Sequence, residues 1–217
     1  NSGVTKAIHQ LEKEHGALAW EVAILIAEQV AKEKFCTFKD KREAMEIAIR
    51  TGFAYHTVGV VAAPLEGFVE LCIKKRADGK EYLSAKFAGP IRGAGGTAMA
   101  VCLLIIDYVR HVMGYEKYDP TDTEIQRYIT ELSDYHERVT NLQYKPSDEE
   151  IRHLMQHCPV EIVGEPTEKL EVSNYKDLPR VETNRIRGGV CLVVSILALK
   201  APKLIKSMPS FKERFNI

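Results

Sequence analysis

Residues 68–97 read FVELCIKKRADGKEYLSAKFAGPIRGAGGT, and this stretch decides the fold class. Val69, Leu71 and Ile73 alternate with Glu70, Cys72 and Lys74, the period-two pattern of a half-buried strand. Ala77-Asp78-Gly79 supplies an Asp-Gly turn, and Glu81 to Phe87 forms the returning strand of an antiparallel pair. The glycine run Gly89 to Thr97 follows directly, and an apolar helix then continues to about Met113, where Gly114 ends it.

On the N-terminal side the pattern is helical. Val4 to Glu14 and Leu18 to Lys34 are rich in Ala, Glu, Lys, Ile and Leu, with Gly16 as the break. A third helix is expected from Lys41 to about Val61, stopped by Pro64. On the C-terminal side two capping boxes, Thr121 with Glu124 and Ser147 with Glu150, open amphipathic helices. Short strands are expected at Val160–Val163 and Lys169–Val172. A polar, arginine-rich segment, Leu178 to Arg187, then leads through Gly188-Gly189 into an apolar helix, expected to be interrupted at Pro202. Helices outnumber strands, so the expected class is α+β: helices around a small antiparallel sheet, with a topology outside the common ones compatible with the pattern. The expected division is a helical segment over residues 1–35 and an α+β domain over residues 36–217.

Composition narrows the function. With 217 residues, 45% of them hydrophobic, the chain can bury a sizeable core. Lys plus Arg and Asp plus Glu both total 30, so any nucleic-acid contact must come from locally clustered arginines. Cys36, Cys72, Cys102, Cys158 and Cys191 form no CxxC pair, which points to free thiols in a reducing compartment. No apolar run reaches the roughly 18 residues of a membrane span, and a soluble, cytoplasmic location is expected.

Two segments could hold an anion. Strand, glycine loop and helix N-terminus bring backbone N–H groups and the helix dipole together, and Arg92 adds a cation beside Gly95, Gly96 and Thr97. No Lys-Ser/Thr follows the last glycine, so this is not a Walker loop. The alternative is a tight turn in which glycines permit positive φ or close packing. Arg185, Arg187, Gly188 and Gly189 repeat the arrangement before the last helix, and two such entries suggest a shared anion-facing surface. Structural ion pairs with Glu182 or the acidic helix starts are the competing role. His153 and His157 share a helix face next to Cys158, but no further zinc ligands stand at a recognisable spacing. Ser84, Ser133 and Ser195 lack an elbow motif. The carboxylates of Asp122–Glu137 and Asp148–Glu150 are expected mostly on outer helix faces and in first turns, so no catalytic residue is assigned.

The segments Phe87 to Arg92, Ala94 to Ala98, Asn141 to Ser147, Cys158 to Ile162 and Asp177 to Gly189 together resemble the large subunit of archaeal family-D DNA polymerases. The matching blocks keep the family's order from about Gly59 to Lys203; Gly93 stands where relatives are expected to carry serine. The resemblance implies an N-terminal piece of a replicative polymerase's large subunit; with the arginine-glycine loops, the expected role is that of an architectural accessory domain in which Arg92, Arg185 and Arg187 guide the nucleic-acid backbone. The resemblance also implies as partners a small exonuclease-bearing subunit, the remaining large-subunit domains and DNA, with no membrane. Magnesium is implied for the intact enzyme, bound by aspartates of an Asn-Ala-Asp-Gly-Asp-like segment that these residues lack; none is expected in this piece. The alternative is an assembly module that does not touch DNA.

Overall fold

The computed structural model describes residues 2–57 and 66–215, with side chains in that range except at residues 2, 204, 205 and 207–215. Three helices lead the chain: α1 (Ser2–His15), α2 (Trp20–Ala31) and α3 (Lys41–His56). The Asp40 side chain caps α3 by accepting from the Glu43 N–H. The part of the expected third helix toward Val61, and its stop at Pro64, lie outside the described residues. Gly52 lets α2 and α3 approach backbone to backbone, since a Cβ there would lie 2.4 Å from the Ala23 carbonyl oxygen. The Tyr55 hydroxyl donates to Glu12 and accepts from the Leu18 N–H, both at 2.9 Å, tying the α1–α2 turn to α3.

The sheet is three-stranded, in the order β1 (Phe68–Lys75), β2 (Glu81–Phe87), β3 (Glu161–Gly164). β1 and β2 form the antiparallel hairpin, with Leu71 opposite Ala85 and Ile73 opposite Leu83. β3 corrects the expectation of a wholly antiparallel sheet, because it runs parallel to β2 and the sheet is mixed. The physical reason is the long helical crossover between them; a parallel neighbour requires such a connection. That crossover carries α4 (Gly96–Val112), α5 (Asp122–Arg138) and α6 (Asp148–His157), preceded by a 3-10 helix at Gly89–Ala94. Both capping boxes form at Thr121 and Ser147.

The expected strand at residues 169–172 is reduced to one bridge between Glu171 and Arg185, flanked by backbone bonds from Val172 to Asn184 and from Ile186 to Leu170. The last helix, α7 (Gly188–Phe215), runs through Pro202 rather than breaking there. A proline removes one backbone donor, but its fixed φ is itself helical, so the turns on either side can continue.

Period two divides the sheet. Leu71, Leu83, Ala85 and Ile162 join one apolar core with α2, α3, α4 and α7. The opposite face carries Glu70, Cys72 and Lys74 of β1, Ser84 and Lys86 of β2 and Glu161 of β3, in register with one another. This polar face lies toward the arginine-rich segment, as the ion pair from Lys74 to Glu182 shows.

Candidate functional site

The site is built on α5. Ile125, Tyr128 and Leu132 place one face of this helix in the core, and Arg127 and Glu131, four residues apart, are buried beside them. Most acids of Asp122–Glu137 were expected on outer faces, but Glu124, Glu131 and Asp134 are buried. They are inside because each is hydrogen-bonded, Glu131 by Arg127 and Arg187, Glu124 by Arg180 and the Thr121 N–H, and Asp134 by the Ser173 N–H, which offsets much of the cost of desolvating a carboxylate.

Glu131 is the hub. Its carboxylate accepts from Arg127 Nε at 3.2 Å, from Arg187 Nη2 at 2.7 Å and from the Arg187 backbone N–H at 2.6 Å. The Arg127 guanidinium continues past it, donating to the carbonyls of Thr183 at 2.9 Å, and of Tyr175 and Arg185 at 3.3 Å. Burial works against the charge of Arg187, but the Glu131 carboxylate outweighs it and the pKa is raised. For Arg127 burial is the larger influence, and its pKa is lowered. The carboxylate holds Arg187 in the closer, bidentate geometry and Arg127 through a single longer bond.

A second anchor holds the start of the same segment. Arg180 donates to Asp119 Oδ1 at 2.6 Å and to Glu124 Oε2 at 2.6 Å, with its guanidinium 5.4 Å from the Tyr118 ring. Glu124 is also the capping-box acid of α5, accepting from the Thr121 N–H at 2.7 Å. The hydrogen bonds to Glu124 are the main reason that the pKa of Arg180 is raised, against the opposing effect of burial. Asn184 and Asp177 exchange two bonds, at 2.7 and 2.8 Å, which ties the loop across itself. The arginine-rich segment is thus a strap bound down at both ends.

The residues singled out in the sequence separate accordingly. Arg187 is internal. Arg185 is half-buried and spends Nε on the Glu168 carbonyl at 2.8 Å. Gly188 donates its N–H to Thr167 Oγ1, and Gly189 admits the end of β2, since a Cβ there would lie 2.2 Å from the Phe87 carbonyl oxygen. These two glycines provide close packing at the start of α7.

Arg92 and Thr97 are exposed, while Gly95, at φ +75°, takes the N-cap position of α4, so no side chain caps that helix. Gly96 faces α7, where a Cβ would lie 2.6 Å from Lys200 Cε. Arg92, Gly95 and Gly96 line a small cavity of about 90 Å3 with Gln143, Ser195 and Ile196. Arg185 and Arg187 line a different one, of about 370 Å3. The two arginine-glycine entries therefore do not share one cavity.

His153 and His157 stack with ring centroids 4.3 Å apart, and His157 Nδ1 bonds to the His153 carbonyl oxygen at 2.7 Å. Burial pushes the neighbouring Cys158 thiol up to about 11. Among the described residues no group of three or more potential ligands gathers around a metal position. Sequence reasoning missed both buried groups, Arg127 and Glu131 with Arg187, and Glu124 with Arg180. The visible signal was the Arg127–Glu131 spacing beside an apolar stripe, which reads equally well as an exposed helix pair.

The family model described as "DNA polymerase II large subunit DP2, N-terminal" matches residues 1–214. The chain is 50% identical over 211 residues to the DNA polymerase II large subunit of Nanoarchaeum equitans, covering 97% of this chain and 17% of that protein. The corresponding subunit of Methanococcoides burtonii is 47% identical over 211 residues, again 97% of this chain and 18% of the relative. That of Archaeoglobus fulgidus is 48% identical over 206 residues, 94% of this chain and 17% of the relative. The chain thus spans less than a fifth of the length of these relatives. With the family model matched along nearly its whole length, the chain belongs to the family formed by the N-terminal region of the DNA polymerase II large subunit.

Proposed function

We propose that the chain is an architectural module of an archaeal replicative DNA polymerase, supporting synthesis carried out by groups elsewhere in the large subunit. The observation that carries this reading is the inward use of the strap: Arg180 and Arg187 are consumed by Asp119, Glu124 and Glu131. An arginine already held by carboxylates has few donors left for phosphates, and breaking a buried pair to free it is costly. In the intact enzyme the partners would be DNA, the other large-subunit domains and a small exonuclease-bearing subunit, in the cytoplasm. Magnesium-assisted nucleotidyl transfer would use carboxylates outside these residues. No helix among the described residues is long and apolar enough to cross a membrane.

A second reading, direct contact with the DNA backbone, is favoured by one feature. Arg92 is exposed in the glycine loop before α4, and no ion pair is found for it among the described residues. Fluorescence anisotropy of primed and single-stranded DNA with the intact polymerase, across a salt series, separates the two. The module reading expects Arg92→Ala to leave affinity and salt slope unchanged. A uniform loss of affinity with a slope lower by about one would establish the backbone contact instead.

A further inference from the structure

The polar face of the sheet and the strap enclose a cleft of about 370 Å3, lined by five cationic side chains and two carboxylates. Not all of the cations are committed. Arg180 and Arg187 turn their donors onto acids behind the wall, as described above. Lys86 is different: among the described residues its ion partners are Glu165 at 3.5 Å and Glu70 at 3.6 Å. Both distances are long for a charge-assisted bond, and the carboxylates are exposed, 62% for Glu165 and 45% for Glu70. Lys74 is anchored from below by the buried Glu161 at 3.1 Å and covered from above by Glu182, 69% exposed, at 3.4 Å. Arg185 lines the cleft and uses Nε on the Glu168 carbonyl, which leaves its terminal guanidinium nitrogens without a hydrogen bond among the described residues. Thr183 accepts from the Arg185 N–H, which leaves its hydroxyl proton to donate.

Lys74, Lys86, Thr183 and Arg185 thus converge on one cleft, where exposed carboxylates of the chain itself cover the two ammonium groups. Such contacts are weak, because the carboxylate partner is solvent-screened even though the lysine side chains are 19% and 20% exposed. A compact oxyanion with more acceptors can replace them. We infer that this cleft is a binding site for a single phosphate group, which displaces Glu165 and Glu182 from Lys86 and Lys74. The exposed rim carboxylates admit one compact anion but repel a strand laid along the face with a charge at every nucleotide. A free phosphate and a terminal phosphate on a nucleotide chain present the same chemistry to these groups. The inference does not depend on the assembly role proposed above.

The test is a thermal-shift and calorimetric titration of the 217-residue chain with inorganic phosphate and pyrophosphate, against sodium chloride at matched ionic strength. Both phosphates are expected to raise the unfolding midpoint above the chloride control. Lys86→Ala should weaken pyrophosphate binding about tenfold or more, the loss of one charge-assisted bond. Its ion partners among the described residues are exposed, so this variant leaves none of those carboxylates buried and unpaired. Glu182→Gln is expected to act in the opposite direction, tightening binding about two- to fivefold by removing the internal competitor. A merely structural role for Glu182 predicts no such gain.

A 5′-phosphorylated oligonucleotide that displaces pyrophosphate, where its unphosphorylated counterpart does not, would identify a terminal phosphate as the natural source. Displacement by neither would identify a free phosphate. Equal displacement by both oligonucleotides, no shift beyond chloride, or binding unchanged in Lys86→Ala would overturn the inference.

Discussion

Changing Glu131 to Gln removes one negative charge from between two buried guanidinium groups. The side chains of Glu131, Arg127 and Arg187 are 0%, 1% and 4% exposed, so water cannot take over the carboxylate's role. Breaking a buried ion pair by neutralising one partner costs about 3–5 kcal/mol, because the remaining charge is stranded. Here two like charges are stranded, though the carbonyls of Tyr175, Thr183 and Arg185 still solvate Arg127. The expected loss is therefore about 3–5 kcal/mol for Glu131→Gln and at or beyond the upper end for Glu131→Ala, which also leaves a void. At about 2–4 °C per kcal/mol for a chain of this size, Glu131→Gln should lower Tm by roughly 6–20 °C. Arg187→Met should cost less, about 1–3 kcal/mol, because it leaves Glu131 and Arg127 as a neutral pair and fills the space with apolar volume. Urea unfolding of the three variants, with the m-value checked for constancy, measures the order directly. A Glu131→Gln loss below about 1 kcal/mol, or an Arg187→Met loss larger than that of Glu131→Ala, would refute the hub argument.

Glycine positions make a second comparison. Gly189→Ala drives a Cβ into the Phe87 carbonyl and is expected to cost about 3 kcal/mol or more, whereas Gly95→Ala meets no atom within 4 Å and should cost only the strain of its positive-φ, extended backbone, about 1–3 kcal/mol. Thermal unfolding of both variants checks the order. A third expectation concerns pH. Burial lowers the pKa of His56, so the folded chain binds fewer protons there than the unfolded chain does. The stability contribution is then complete above the unfolded value of about 6.5 and is lost as pH falls through the lowered folded value. Urea midpoints from pH 7.5 down to 5 should decline in the wild type and decline less in His56→Phe, and identical slopes would dismiss the assignment.

Local chemistry was legible wherever neighbouring residues alone decide the outcome. The alternation at Val69–Ile73 with the Asp78-Gly79 turn specifies a hairpin because side-chain period and turn geometry are both short-range. Thr121 and Ser147 specify helix starts because their partners, Glu124 and Glu150, are three residues away. The α+β class and the family resemblance were readable for the same reason, being carried by contiguous blocks. The direction of β3 was not readable, since it depends on how α4, α5 and α6 return the chain to the sheet. Nor was the destination of the arginines: Arg180 meets Asp119 and Glu124, and Arg187 meets Glu131, across 56 to 61 residues of chain. An arginine beside glycines is equally suited to a phosphate or to a buried carboxylate. Only the tertiary structure, by bringing α5 under the strap and closing it off from water, decided that Arg187 serves the core while Lys86 and Arg185 remain at a cleft.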